Sequence, residues 1–117
     1  MIRRESELGS IAVSNSVYTK IAGNAATNCF GVKGMAIRSM HDGLVHLLRK
    51  ESMSKGVLVT VNEDATINID LHIVVNQGVN LSVLGETIIN EVRYMVSQQT
   101  GTEVREINVF IDSIMTD

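Results

Sequence analysis

Between Thr66 and Val75 the chain alternates with a period of two: Ile67, Ile69, Leu71, Ile73 and Val75 are aliphatic, and the positions between them are polar until Val74. Successive side chains of a strand point to opposite faces, so a pattern of this length commits the segment to a β-strand with one buried row. A helical repeat cannot produce it. The remainder of the chain is then expected either to pair with this strand or to cover its apolar side.

Candidate cover and candidate partners both follow in order. Ser10-Ile11-Ala12-Val13-Ser14 reads as a short strand, and Ser14 as the cap of a helix that starts at Asn15 or Ser16. In that helix Val17, Ile21 and Ala25 recur at spacings of four, beside Ala22 and Ala26, which gives a face of small and aliphatic residues. Gly31-Val32-Lys33-Gly34 marks the helix exit, and Met35-Ala36-Ile37 the start of another strand. Residues 38–55 read as an excursion from the sheet, with a short helix around Leu44, Val45, Leu47 and Leu48. Val57, Val59 and Val61 alternate as a strand, and Asn62-Glu63-Asp64 turns into the central strand.

The second helix carries the clearest helical repeat. Leu81, Leu84, Ile88, Val92 and Met95 form its apolar stripe, Ile89 and Val96 widen it, Asn80 or Ser82 can cap its start, and Gly101 suits its exit. From Val104 to Ile114 a last strand sets Ile107, Val109 and Ile111 on one face and Glu106, Asn108, Phe110 and Asp112 on the other. The order strand, helix, strand, strand, strand, helix, strand predicts an α+β two-layer sandwich, with two main helices on one face of a mostly antiparallel sheet. A length of 117 residues with 44% hydrophobic content suits one core. Residues 1–8 read as an N-terminal extension and residues 9–117 as the domain.

Composition narrows function mainly by exclusion. Aromatic residues make up 3% and the formal charge is -3 with lysine and arginine scattered, so few stacking residues are supplied for nucleic acid and a phosphate-binding surface is argued against. One cysteine precludes an internal disulfide and fits a reducing, cytoplasmic setting. No apolar run reaches the ~20 residues of a membrane span, so membrane association would be borrowed from a partner. No signal peptide is read at the N-terminus.

No motif for chemistry emerges. Cys29 with His41 or His46 as base lacks a glycine elbow and reads as a small core thiol. The spacing from His41-Asp42 to His46 is loose for a metal, and no second cluster supports it. His72 lies in the polar row beside Asp70, while Asp64, Glu103, Glu106 and Asp112 offer carboxylates without a convergent partner. Neither catalytic residues, nor a metal, nor a cofactor are expected. Gly31-Val32-Lys33-Gly34 matches the GxxG of KH modules, which clamp nucleic-acid backbone; a KH loop leads directly into a second helix and Met35-Ala36-Ile37-Arg38 reads as extended, so an RNA-binding module using this turn is the alternative reading and not the first. A candidate contact surface is drawn from Gly31, Lys33, Gly34, Asp70, His72, Asn108 and Phe110.

Several ordered segments carry a family resemblance. Gly9-Ser10-Ile11-Ala12-Val13-Ser14, the run from Ile21 to Met35, the segment from Asp42 to Val61 with its LLRKES, the run from Ile67 to Leu81, and Thr100-Gly101 followed by Ile107 to Ile111 resemble the alkaline-shock and general-stress family of Gram-positive bacteria, in its short single-domain branch. One departure is Asn76-Gln77-Gly78, where relatives often carry an aromatic before the glycine. The resemblance implies a small cytoplasmic protein of envelope homeostasis or stress, acting through protein contacts and self-association. It also implies partners such as a membrane-anchored protein or a kinase of fatty-acid metabolism, and it brings no catalytic residues.

Overall fold

The computed structural model describes residues 2–6, 9–38, 45–47 and 56–116. Its elements are β1 (Ile2–Ser6), β2 (Gly9–Val13), α1 (Asn15–Thr27), β3 (Val32–Arg38), β4 (Val45–Leu47), β5 (Val57–Val61), β6 (Ile67–Asn76), α2 (Leu81–Thr100) and β7 (Val104–Met115). The architecture is the expected α+β one: two helices over a mostly antiparallel sheet.

β6 is the strand about which the sheet is arranged. β7 runs parallel to it along the whole of its length. The opposite edge is shared in tandem, with β5 antiparallel to Ile67–Leu71 and β3 antiparallel to Ile73–Val75. Where β3 and β5 meet, Gly56 has no room for a side chain. A Cβ there would stand 2.9 Å from the Met35 Cβ, 3.0 Å from the Ala36 carbonyl oxygen and 3.1 Å from that of His72.

The odd-numbered row of β6 is fully buried. Ile67, Ile69, Leu71, Ile73 and Val75 pack with Met35, Val57, Val59 and Ile107 of neighbouring strands, under Leu84, Ile88, Val92 and Val96 of α2 and Tyr18, Ala22, Ala25 and Ala26 of α1. Burying each such aliphatic side chain contributes about 1.5–3 kcal/mol. The helix α2 begins where Asn80 accepts a hydrogen bond from the Val83 amide at 3.1 Å, and it ends at Gly101 in the left-handed region, φ 73°.

Four expectations are corrected. Val45–Leu47, expected to be helical, is a strand that pairs with Ala36–Arg38 and continues the sheet edge. The first expected strand, β2, does not join the main sheet. It pairs instead with β1, in the segment read as an extension, because its alternation is too short to bury a row: Ile11 is 66% exposed and only Val13 packs against the core. Helix α1 is rotated relative to the expected face, so Val17 is exposed and Tyr18 is its buried anchor. The Tyr18 hydroxyl lies 2.6 Å from Thr102 Oγ1, which ties α1 to the turn before β7. Ser14 stands at the N-cap position, yet its hydroxyl meets Ser16 Oγ at 2.9 Å and not a helix amide.

The β5–β6 turn holds the one non-glycine residue with positive φ among those described, Ala65 at φ 68°. A left-handed alanine costs about 1–2 kcal/mol. Ala65→Gly should therefore raise stability by up to about 1 kcal/mol, while Ile69→Ala in the buried row should lower it by about 2–5 kcal/mol. Urea denaturation read by circular dichroism measures both, and an unchanged midpoint in Ile69→Ala would refute the assignment of this row to the core.

Candidate functional site

Because one row of β6 is buried, the other row faces away from the helices, and it carries the polar residues of the motif. Parallel registry sets Asp70 beside Asn108 and His72 beside Phe110. The Asn108 amide donates to Asp70 Oδ1 at 2.9 Å. The imidazole of His72 stacks on the ring of Phe110, with centroids 4.7 Å apart and planes 13° from parallel. Asp70, His72, Asn108 and Phe110 thus form one continuous patch on the open face of the sheet.

A bulge completes the patch. Registry passes from Ile73 opposite Ile111 to Val74 opposite Ser113, which leaves Asp112 as the extra residue of β7. A bulged residue escapes the regular pairing and can be re-aimed. Here the Asp112 carboxylate reaches back to His72 Nδ1 at 3.0 Å. The sequence pointed to Asp70 as the neighbour of His72, whereas the charged partner is Asp112 from the adjacent strand. A second bulge, between Ile67 paired with Val104 and Asn68 paired with Glu106, frees Arg105 in the same way. Arg105 lines a shallow depression with Asn62, Glu63 and Asp64. The carboxyl of Asp64 is held below its ordinary range, chiefly by hydrogen bonds from the Thr66 hydroxyl at 2.6 Å and the Thr66 amide at 3.1 Å, with a smaller contribution from the Arg105 charge.

The glycine motif is elsewhere. Gly31 is a buried turn residue at φ +101°, where a Cβ would meet Val79 Cγ1 at 2.9 Å, and Val32 to Gly34 belong to β3, with Gly34 opposite Val74. Lys33 is exposed on that strand. The motif therefore runs from a turn into a strand and does not form a loop between two helices. Gly31 lies in the turn against Val79, whereas Gly34 stands opposite Val74, two positions along β6 from His72.

Potential chemistry is dispersed. Cys29 belongs to the helix-side core, so the sheet separates it from His72. Burial pushes its thiol above the ordinary value of 9.0, and the nearby Glu91 charge adds to the shift. His41 and Asp42 lie outside the described residues, as do the side chains of His46 and its neighbours. Among the described residues no group of His, Cys, Asp and Glu could hold a metal ion. Two open depressions accompany the helices. One, of about 360 Å³, is lined by Phe30, Gly78, Val79, Asn80, Val83, Leu84 and Thr87, and Phe30 on its rim is 96% exposed. No sequence pattern distinguished Phe30, since a single aromatic at a helix exit has no periodicity to place it. The other, of about 550 Å³, is a groove between α2 and β7 that includes Asn108 and Phe110.

Similarity to known proteins extends over nearly the whole chain. Residues 3–116 match the model of the alkaline-shock protein family, described as having a cell envelope-related function. The chain is similar to the uncharacterized protein YloU of Bacillus subtilis, 36% identical over 114 residues, which cover 97% of this chain and 94% of that protein. It is also similar to the uncharacterized protein Spy1614 of Streptococcus pyogenes, 36% identical over 107 residues, which cover 91% and 88%. No solved structure matches the chain. No helix among the described residues is long and apolar enough to cross a membrane.

The shifted thiol gives a direct test of the core assignment. With its pKa raised in the folded state, Cys29 contributes stability that is fully present below pH 9.0 and is lost as pH rises through the folded value. The stability difference between the wild type and Cys29→Ala should accordingly shrink above that pH in denaturant titrations. At neutral pH a thiol reagent should react at least about tenfold more slowly with folded than with unfolded protein. Equal rates would place the thiol at the surface.

Proposed function

Since the chain belongs to the alkaline-shock protein family, whose described function is related to the cell envelope, we propose that it is a non-catalytic protein of envelope homeostasis and stress that works by protein contact through the open face of its sheet. The observation that carries this reading is the His72–Phe110 stack, braced by Asp112 and flanked by the Asp70–Asn108 pair. Phe110 is 43% exposed in a row that is otherwise polar. Aromatic residues on a pre-ordered polar surface are the usual anchors of protein interfaces. The patch is spread over two adjacent strands and is open to solvent, which suits a macromolecular partner better than an enclosed small molecule.

Catalysis by the same residues finds less support. Among the described residues the His72 ring hydrogen-bonds to Asp112 and to no hydroxyl or thiol that it could activate. Attachment to a membrane would come through the partner.

In a strain that lacks this chain, wild-type protein should restore tolerance to envelope stress. Phe110→Ser and His72→Ala should each fail to do so while keeping the wild-type melting temperature within a few degrees, as surface changes do. Cys29→Ala, on the far side of the sheet, should restore tolerance. Full restoration by both face variants would overturn the reading, and so would turnover of a lipid or phosphoester by purified protein that His72→Ala abolishes.

A further inference from the structure

β7 is paired on one side only. Over its length from Val104 to Met115 it bonds to β6, and among the described residues no strand occupies its other edge. A long strand edge with unpaired amides and carbonyls is a template for another extended segment. The groove of about 550 Å³ runs beside this edge, and its lining decides what such a segment must be.

On the helix side the lining is apolar: Leu81 and Ile89 of α2 face Ile107, Val109 and Ile111 of β7, and Val109 and Ile111 are only half-buried despite packing on the core. On the open side stands the row Glu106, Asn108, Phe110, Asp112. Among the described residues, the charged side chains that line the groove or stand in the row from Glu106 to Asp112 are acids: Glu86 lines the groove, Glu106 is exposed and makes no ion pair among the described residues, and Asp112 already faces His72. The one cation of β7, Arg105, is turned to the β5–β6 turn by its bulge.

A strand added here presents its own side chains alternately to these two environments. We propose that β7 receives, by strand addition, an extended partner segment that alternates apolar and basic residues. The apolar row lies in the groove over Ile107, Val109 and Ile111, and the lysines or arginines meet Glu106 and the ring of Phe110 on the open face. Opposite charges across paired strands are favourable, like charges unfavourable, and a cation gains further from an aromatic face. A second copy of β7 fits poorly by the same rule, because it brings Glu106 and Asp112 to an edge that is already acidic. The proposal rests on the reading of the open face as a contact surface and names the chemistry of its partner.

The test uses full-length protein and a labelled peptide of about ten residues alternating lysine and valine, the length of an ordinary strand, with binding followed by fluorescence anisotropy at low and high salt. Binding should weaken with salt and fall at least about tenfold in Glu86→Gln/Glu106→Gln and in Phe110→Ser. It should be unchanged in Glu63→Gln/Glu91→Gln, which removes the same charge from elsewhere. A glutamate-valine peptide, and a lysine-valine peptide interrupted by proline, should not bind. Equal loss in both double variants, equal binding of the interrupted peptide, or no binding at all would overturn the proposal. So would a concentration-dependent dimer in sizing experiments that Glu106→Gln strengthens, since the edge would then belong to a second copy. If peptide binding fails while Phe110→Ser still abolishes stress tolerance, the contact surface stands and the strand-addition chemistry falls.

Discussion

The burial of one face of β6 is the constraint on which the structure depends. A strand whose odd side chains all enter a core has a single acceptable registry with each neighbour, because a slip by one residue would expose five aliphatic groups and bury Asn68, Asp70 and His72. Three strands accept that registry, β7 along the full length and β5 and β3 in succession on the opposite edge. The helices then have one apolar surface to cover. The polar row of β6 then faces the opposite side, since fixing the buried row fixes the row behind it.

What could be read in the sequence tracks the length of each pattern. β6 and α2 have repeats long enough to exclude the other period, and their caps at Asn80 and Gly101 are local chemistry. Val45–Leu47 could not be read in this way: three residues contain less than one helical turn, and pairing with β3 decides their conformation. The same limit hid β1, which among the described residues takes its registry from β2. Tyr18 is not legible as an anchor because an amphipathic residue can sit on either side of a stripe. Its burial depends on a hydroxyl partner, Thr102, far away in sequence.

The candidate site was half legible for a related reason. Alternation was enough to align Asp70 and His72 on β6 and Asn108 and Phe110 on β7, so the faces could be assigned from sequence. Which residues touch could not, because parallel registry and bulge positions arise from packing across the sheet. The bulge at Asp112 shows the consequence: a residue that reads as one more polar position in a row is the one that bonds to His72. Glycines misled in the opposite direction. Gly31 is needed for a left-handed turn under Val79, and Gly34 for nothing beyond its place in β3 that the structure explains, so their spacing of three carries no loop.

The organisation of the open face matters more for binding than its composition. Side chains that associate with a partner lose rotameric freedom, at about 0.5–1.5 kcal/mol for each flexible group immobilised. In this patch much of that loss has already occurred on folding. The His72 ring is fixed by the Phe110 stack on one side and by Asp112 at Nδ1, and Asp70 is fixed by the Asn108 amide. These contacts are worth little to the stability of a half-exposed surface, where ion pairs contribute about 0–1 kcal/mol. Their effect is to hold an aromatic ring and a row of hydrogen-bonding groups in one arrangement before any partner arrives. An open sheet face discriminates between partners by such an arrangement, and β6 supplies the rigid base that maintains it.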